Sequence, residues 1–430
     1  MATQTGYKVS ELGMIPPDWD VVELEEVAEI KSGGTPSTNR PEFWNGHILW
    51  CTPTDITSLS GKYLSDTNRK ISELGLNNSA AELLPTGSVL MTSRATIGEC
   101  AIVKRPMTTN QGFKNFICNR TVNNEFLYYL LSSQKDKFIE LCNGSTFLEI
   151  STTQVRKFKI AIPKSTTEQT AIATVLSDTD ALISSLQTLI AKKKAIKLSA
   201  MQNLLSGKIL LPEFAQRLDG SPKTTRQTEL GLLSEDWKVV ELGDVLSPVL
   251  NKKVDAPFFT FIGMQDVSEE AKIINQTVLP ITQLKSGLTY FEENDVLVAK
   301  ITPCFENGKG GYAHNLKTQI GFGSTEFHIL RANQQADAEF IYYWTISPKF
   351  RQQLALDMVG SAGHKRVPFQ ALQKFKIPLP SKPEQTAIAQ LLSDMDAEIE
   401  ALECRLKKMQ SLKQGMMQTL LTGKIRLPLE

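Results

Sequence analysis

The strongest constraint in this sequence is that it says nearly the same thing twice. ELGMIPPDWDVVELEEV, from Glu11 to Val27, aligns without gaps on ELGLLSEDWKVVELGDV, from Glu229 to Val245, and ten of the seventeen positions are identical. A second match is longer: EQTAIATVLSDTDALISSLQ…MQNLLSGKILLP (Glu168–Pro212) falls on EQTAIAQLLSDMDAEIEALE…MQTLLTGKIRLP (Glu384–Pro428). KFKIAIP from Lys157 pairs with KFKIPLP from Lys374, and FLYYLLSS from Phe126 with FIYYWTIS from Phe340. A period of about 216 residues is far too long for a solenoid unit, so each half is a domain-sized module with a tail. Between about Ile30 and Val122 the halves barely match. The ends of the module do one job twice, and the middles do two versions of a related job.

Each tail reads as one long helix. In the second, Leu392, Met395, Ile399, Leu402, Leu406 and Met409 alternate in threes and fours, the a/d seam of a coiled coil, with Leu412, Met416 and Leu420 continuing it less regularly. Leu176, Ile183, Leu186 and Ile190 take the matching places in the first. Ser165 with Glu168, and Ser381 with Glu384, have the spacing of capping boxes at the starts, while Gly207 and Gly423 suit the stops. About 40 residues at 1.5 Å each make a rod of roughly 60 Å. Two equal seams in one chain most simply pair antiparallel with each other. Lys192, Lys193, Lys194 and Lys197 read as a solvated helix face, or else as a basic strip for DNA or a partner.

The middles read as mixed α/β. GSVLMTS, CAIV, NDVLVAKI and EFHIL look like short strands, and the stretches from Asn123 and from Asp337 like single amphipathic helices ending at a glycine. Several loops are rich in Gly, hydroxyl, amide and cationic residues: Lys31–Arg40, Thr92–Gly98, Thr108–Lys114 and Asn143–Phe147, then Lys300–Gly311, Gly321–Phe327 and Gly360–Val367. Such groups make turns everywhere, but they are also the groups that touch phosphates and read base edges. The candidates are Lys31, Thr35, Arg94, Asn110, Gln111 and Ser145 in the first module, and Lys300, Lys309, Ser324, His364, Lys365 and Arg366 in the second. The run His364–Arg366 favours phosphate contact.

Composition excludes more than it assigns. A net charge of +1 does not advertise nucleic acid, and six scattered cysteines without a CxxC pair read as free thiols of a cytoplasmic protein, with no metal site. No apolar run is long enough for a membrane span, and the start has no signal-peptide pattern. No nucleotide-binding GxxxxGK[ST] loop or GxSxG elbow is present, and IPPD at Ile15 has the wrong flanks for an adenine methyltransferase motif. A loose D…ExK pattern from Asp255 to Glu270 and Lys272 is of a kind that arises by chance.

The ELGxxPxDWxVVxLxEV opening, SGGTPS followed by FWNGHILW and TPTDI, the repeated KFKIxxP and the repeated EQxAIAxxLSDxDAxI…LLxGKIRLP helix together resemble type I restriction–modification specificity subunits, over nearly the whole chain. The second module has no GGTPS counterpart, as a reader of different bases would not need one. The resemblance implies two target-recognition domains separated by two antiparallel coiled-coil helices in a pseudo-two-fold repeat. The divisions expected are residues 1–163, a spacer helix 164–210, a linker 211–228, residues 229–380, and a second spacer helix 381–430. It implies a non-catalytic, DNA-binding, cytoplasmic chain without its own cofactor. Its partners would be double-stranded DNA, two adenine-N6 methyltransferase subunits carrying S-adenosylmethionine, and motor–nuclease subunits carrying ATP and magnesium. Each domain would read half of an asymmetric, split target, with the helix pair setting the gap between the half-sites and docking the methyltransferase subunits. The competing reading is an antiparallel coiled-coil adaptor that binds only protein. Such an adaptor need not gather Arg94, Lys104, Arg105, Lys300, Lys309, Lys365 and Arg366 on one side.

Overall fold

The computed structural model describes residues 6–142, 148–250, 256–361 and 363–428. Ser145 and Asp255 lie outside the described residues. The chain is mixed α/β and packs as two units: Met1–Leu189 with Glu403–Glu430, and Ile190–Leu402. Two long helices, Thr166–Leu205 and Lys382–Leu420, each contribute residues to both.

In unit 1 the main sheet has the strand order Ala28–Ser32, Phe113–Cys118, Val89–Thr92, Cys100–Val103, Tyr63–Leu64. In unit 2 the order is Leu246–Ser247, Phe327–Ala332, Val296–Ala299, Gly310–Tyr312, with the same antiparallel pairings. The four strands predicted from alternation and breakers are all present. Each unit has a second sheet built on one parallel pair, Met107–Thr109 beside Leu49–Cys51 and Ile320–Gly323 beside Thr260–Ile262. The backbone frame therefore repeats through the very stretch where the sequence does not.

The amphipathic segments hold their Tyr and Phe stripes in the cores, as expected: Phe126, Tyr129, Phe340 and Tyr343 are buried. Each predicted single helix is in fact two. Asn124–Ser133 is followed by Lys135–Glu140, with Gln134 turned out of helical geometry (φ −101°, ψ 11°). Ala338–Ile346 is followed by Pro348–Leu356, where Ser347 caps and Pro348 can only start a new helix.

Each core is completed by the start of one long helix and the end of the other. Unit 1 packs Ile172, Ala173 and Leu176 with Met416, Leu420 and Leu421, and unit 2 packs Ile388, Ala389 and Leu392 with Met201, Leu204 and Leu205. The seam residues Leu176, Leu186, Ile190, Leu392 and Ile399 are buried, and Ile183, Met395, Leu402, Leu406 and Met409 are half-buried. Leu412 is not on the seam; it is 53% exposed, because the three–four spacing from Met409 passes through Lys413 to Met416 and Leu420. Lys413 pairs there with Asp180 at 2.6 Å. In unit 2, Lys193 and Lys197 likewise face the other helix, at 2.7 Å from Glu398 and 2.6 Å from Asp396. These descending partner numbers make the two helices antiparallel, and they correct the reading of the lysines: at least these two are cross-helix ion pairs, not a solvated face or a DNA strip.

The helix starts also differ from a capping box. Ser165 Oγ accepts from the Glu168 amide at 3.4 Å, but the Glu168 carboxylate turns inward to the indole N–H of Trp19 at 3.4 Å. Glu384 does the same for Trp237, at 3.2 Å. The next residues, Gln169 and Gln385, are buried and accept from the amides of Asn123 and Asp337, which cap the module helices. Thus the tryptophan of DW and the glutamate of EQ repeat as a bonded pair, while the glutamine of EQ ties the long helix to the start of the module helix. Gly207 (φ +69°) and Gly423 (φ +68°) end the helices in the left-handed region, as predicted, pressed against Trp237 and against Pro16 and Trp19.

Candidate nucleic-acid interface

In unit 1 the sheet register carries three of the predicted loops to one end; the fourth, Asn143–Phe147, lies outside the described residues. The Gly34 amide donates to Thr109 O (2.9 Å), Ser93 N to Gly112 O (2.8 Å) and Ile150 N to Ser93 O (3.2 Å). The predicted loops Lys31–Arg40, Thr92–Gly98 and Thr108–Lys114 are therefore joined to each other and to the segment entering Ile150. The double glycine is a packing requirement: a β-carbon on Gly33 would collide with the Asn110 carbonyl. The Trp50 indole donates to Gly34 O at 2.9 Å, and Asp55 caps the Thr52 turn (2.8 Å). SGGTPS, HILW and TPTDI thus shape the loop bed.

Unit 2 builds the same bed from other residues. Lys300 N donates to Glu326 O (2.9 Å), Val367 N to Lys300 O (2.9 Å) and Thr302 N to Lys365 O (2.9 Å), uniting Lys300–Gly311, Gly321–Phe327 and Gly360–Val367. Arg351, buried, donates to the carbonyls of Thr345, Phe305 and Gly308 and so pins the Ile301–Gly308 turn. Its burial pushes its pKa down to about 10.

The candidate side chains differ in their commitments. Lys31 is paired with Glu82 at 2.5 Å. Thr35 donates to Gln111, and Asn110 Oδ1 accepts from the Gly112 amide at 2.9 Å. Arg94 Nε lies 2.9 Å from Glu149, and Arg366 makes a two-bond fork with Glu326 (2.7 and 3.0 Å). Lys309 donates to Met264 O at 2.9 Å and Ser324 Oγ accepts from the Glu326 amide at 3.2 Å. Lys300 is half-buried, and His364 and Lys365 are exposed. Lys104 and Arg105 follow Cys100–Val103 at the opposite end of its hairpin from Arg94, so these cations do not form one patch in unit 1.

Three residues outside the candidate set also belong to these beds. Glu149 and Glu326 hold the two arginines. Lys114 is buried, its ammonium 3.3 Å from Ser32 Oγ, and desolvation lowers its pKa. Register places Lys114 where unit 2 has His328, since Phe113 opposes Thr92 as Phe327 opposes Ala299. His328 is likewise held below its ordinary value, by desolvation first. A lysine at an inward strand position was the available signal.

Away from the loops, each unit has a cleft at the same place in the repeat. One, of about 540 Å³, is lined by Leu12, Leu130, Leu421 and Lys424; the other, of about 740 Å³, by Leu230, Trp344, Leu205 and Lys208. Among the described residues no group of three or more His, Cys, Asp or Glu could hold a metal, and all six cysteines are free. Among the described residues no helix is long and apolar enough to cross a membrane.

Comparison with known proteins bears on all of this. The sequence profile described as "Type I restriction modification DNA specificity domain" matches twice, at residues 16–195 and 234–409. The MjaIX type I specificity subunit of Methanocaldococcus jannaschii is 37% identical over 251 residues, 56% of this chain and 55% of that one. The putative MjaX specificity subunit of the same organism is 27% identical over 98% of this chain and 97% of its own length. Among solved structures, a type I S subunit from M. genitalium shares the fold with a TM-score of 0.55 at 12% identity, covering 100% of this chain and 99% of that one. With the profile spanning most of both halves, the chain belongs to the family of type I restriction–modification specificity subunits.

Proposed function

We propose that this chain is a non-catalytic DNA reader in which each unit recognises one half of a split, asymmetric target. The observation that carries this is the loop bed: one backbone frame, built twice, presents two chemically different sets of Arg, Lys, Glu, Thr and Asn side chains. Like frames give like docking on a duplex; unlike loops give unlike base contacts, so the target is not a palindrome. The divisions at residues 163/164, 210/211, 228/229 and 380/381 separate readers from spacer helices. The repeated clefts, each lined by leucines together with Lys424 or Lys208, support docking of two copies of one partner. We assign that role to adenine-N6 methyltransferase subunits carrying S-adenosylmethionine, with motor–nuclease subunits supplying ATP and magnesium chemistry. The expected location is the cytoplasm.

The test is methylation mapping of genomic DNA from cells carrying this gene and its methyltransferase. A second chain has residues 247–366 exchanged for those of another family member. A split adenine-methylated motif that changes in one half only on the exchange supports two readers. Methylation that does not depend on the chain, with an active methyltransferase, favours the protein-binding adaptor.

A further inference from the structure

Both loop beds carry an arginine–glutamate pair, but they build it from opposite strands. In unit 1 a bridge joins Arg94 to Glu149; the same bridge in unit 2 joins Ile301 to Arg366. The Ile150 and Val367 amides, donating to Ser93 O and Lys300 O, fix this equivalence. Glu149 and Arg366 therefore occupy one backbone position with opposite charges. Where unit 2 lacks an acid across the bridge, Glu326 provides it from a position that is Gly112 in unit 1. The pair is thus kept while its orientation is changed.

Fold stability does not explain this. All four side chains are partly exposed, from 25% for Glu326 to 47% for Arg366, and exposed ion pairs add little to stability. Phosphate anchoring explains it poorly as well. A carboxylate bonded to the guanidinium neutralises it and is repelled by the DNA backbone, and exposed Lys365, next in sequence, is better placed for that role. A guanidinium beside a carboxylate does match a base-pair edge. Guanine shows two acceptors in the major groove and the paired cytosine an amino donor. The Arg366 fork uses Nε and Nη2 and leaves Nη1 without an acceptor among the described residues.

We propose that Arg94–Glu149 and Arg366–Glu326 each read one guanine–cytosine pair, the arginine bonding guanine and the glutamate the cytosine amino group. The proposal rests on the reading of the chain as a two-unit DNA reader. Because the arginines project from opposite strands of the bridge, the two pairs address different positions in the two half-sites.

The experiment is the same methylation map, made with the full chain and its methyltransferase for the parent, Arg366→Lys, Arg366→Ala, Glu326→Gln, Arg94→Ala and Glu149→Gln. The parent motif should contain a guanine–cytosine pair in each half. Arg366 and Glu326 variants should relax one such position in one half, and Arg94 and Glu149 variants one in the other. The loss of preference should be roughly tenfold to hundredfold. A half-site without a guanine–cytosine pair overturns the proposal. So does a uniform fall in methylation with every position still specified, the mark of phosphate contact. If an alanine variant fails to fold, Arg366→Lys and Glu326→Gln decide. Absence of chain-dependent methylation for the parent strikes the two-reader function itself, a distinct failure.

Discussion

Each unit buries a tryptophan against a glutamate from the start of a long helix, yet the two glutamates live in different surroundings. In unit 1 Arg426 donates to Glu168 (2.5 and 2.8 Å) and to Asp18 (2.9 and 2.8 Å). The aligned position in unit 2 is Leu210. Glu384 is buried there with Oε1 unpartnered, and desolvation pushes its pKa up to about 7. Asp236 is taken by Lys223 at 2.5 Å. The pattern recurs one layer away. Burial would raise Glu125, but bonds from Lys62 and Tyr63 outweigh it and hold it low. Its counterpart Glu339 is raised, by desolvation first. The geometry is duplicated, but among the described residues cations bond these buried carboxylates in unit 1 and not in unit 2. Side-chain packing around Trp19 and Trp237 evidently tolerates a neutral carboxylic acid as well as a paired carboxylate.

The difference can be erased or exaggerated by substitution, with hydrogen exchange read separately on peptides of each unit. The largest effect is expected for Arg426→Leu, which gives unit 1 the junction of unit 2. It strands buried Glu168, and unit 1 should lose about 2–3 kcal/mol, discounted for the partial exposure of Arg426, while unit 2 is unchanged. Equal loosening of both units would show that the junctions are not independent.

Next is pH. Glu384 ordinarily titrates near 4.5. Below that value folded and unfolded chains both hold the proton, so the group costs nothing. Between about 4.5 and 7 the unfolded chain ionises first, and unit 2 should lose stability across that window. Asp18, held low by Arg426, works the other way: its contribution is present above its ordinary 3.8 and is lost as pH falls below it. Glu384→Gln should abolish the loss in unit 2, so that it gains on the parent at pH 8 and not at pH 4; a gain at both would point to packing.

Leu210→Arg should ionise Glu384 and flatten the same profile, with a gain of about 1 kcal/mol at pH 8. The smallest effects serve as controls. Tyr129 and Tyr343 donate to Asp180 and Asp396 at 2.8 and 3.0 Å, each aspartate also paired with a lysine of the other helix. Phenylalanine at either should cost about 1 kcal/mol in its own unit, equally in both.

The repeat itself was legible in the sequence. So were the long helices with their glycine stops, the four core strands and the apolar seam, because each rests on local periodicity or on a residue suited to one backbone region. Those signals also located the loops that the sheets gather. Local pattern could not show that Glu168 and Glu384 turn away from their serines to tryptophans about 150 residues away. Nor could it show that Lys193, Lys197 and Lys413 belong to cross-helix pairs, or that Arg94 and Arg366 are held by acids from other loops. A charged side chain settles on whichever partner the tertiary fold brings within about 3 Å. Helix and strand are chosen by neighbours in sequence, electrostatic partners by neighbours in space.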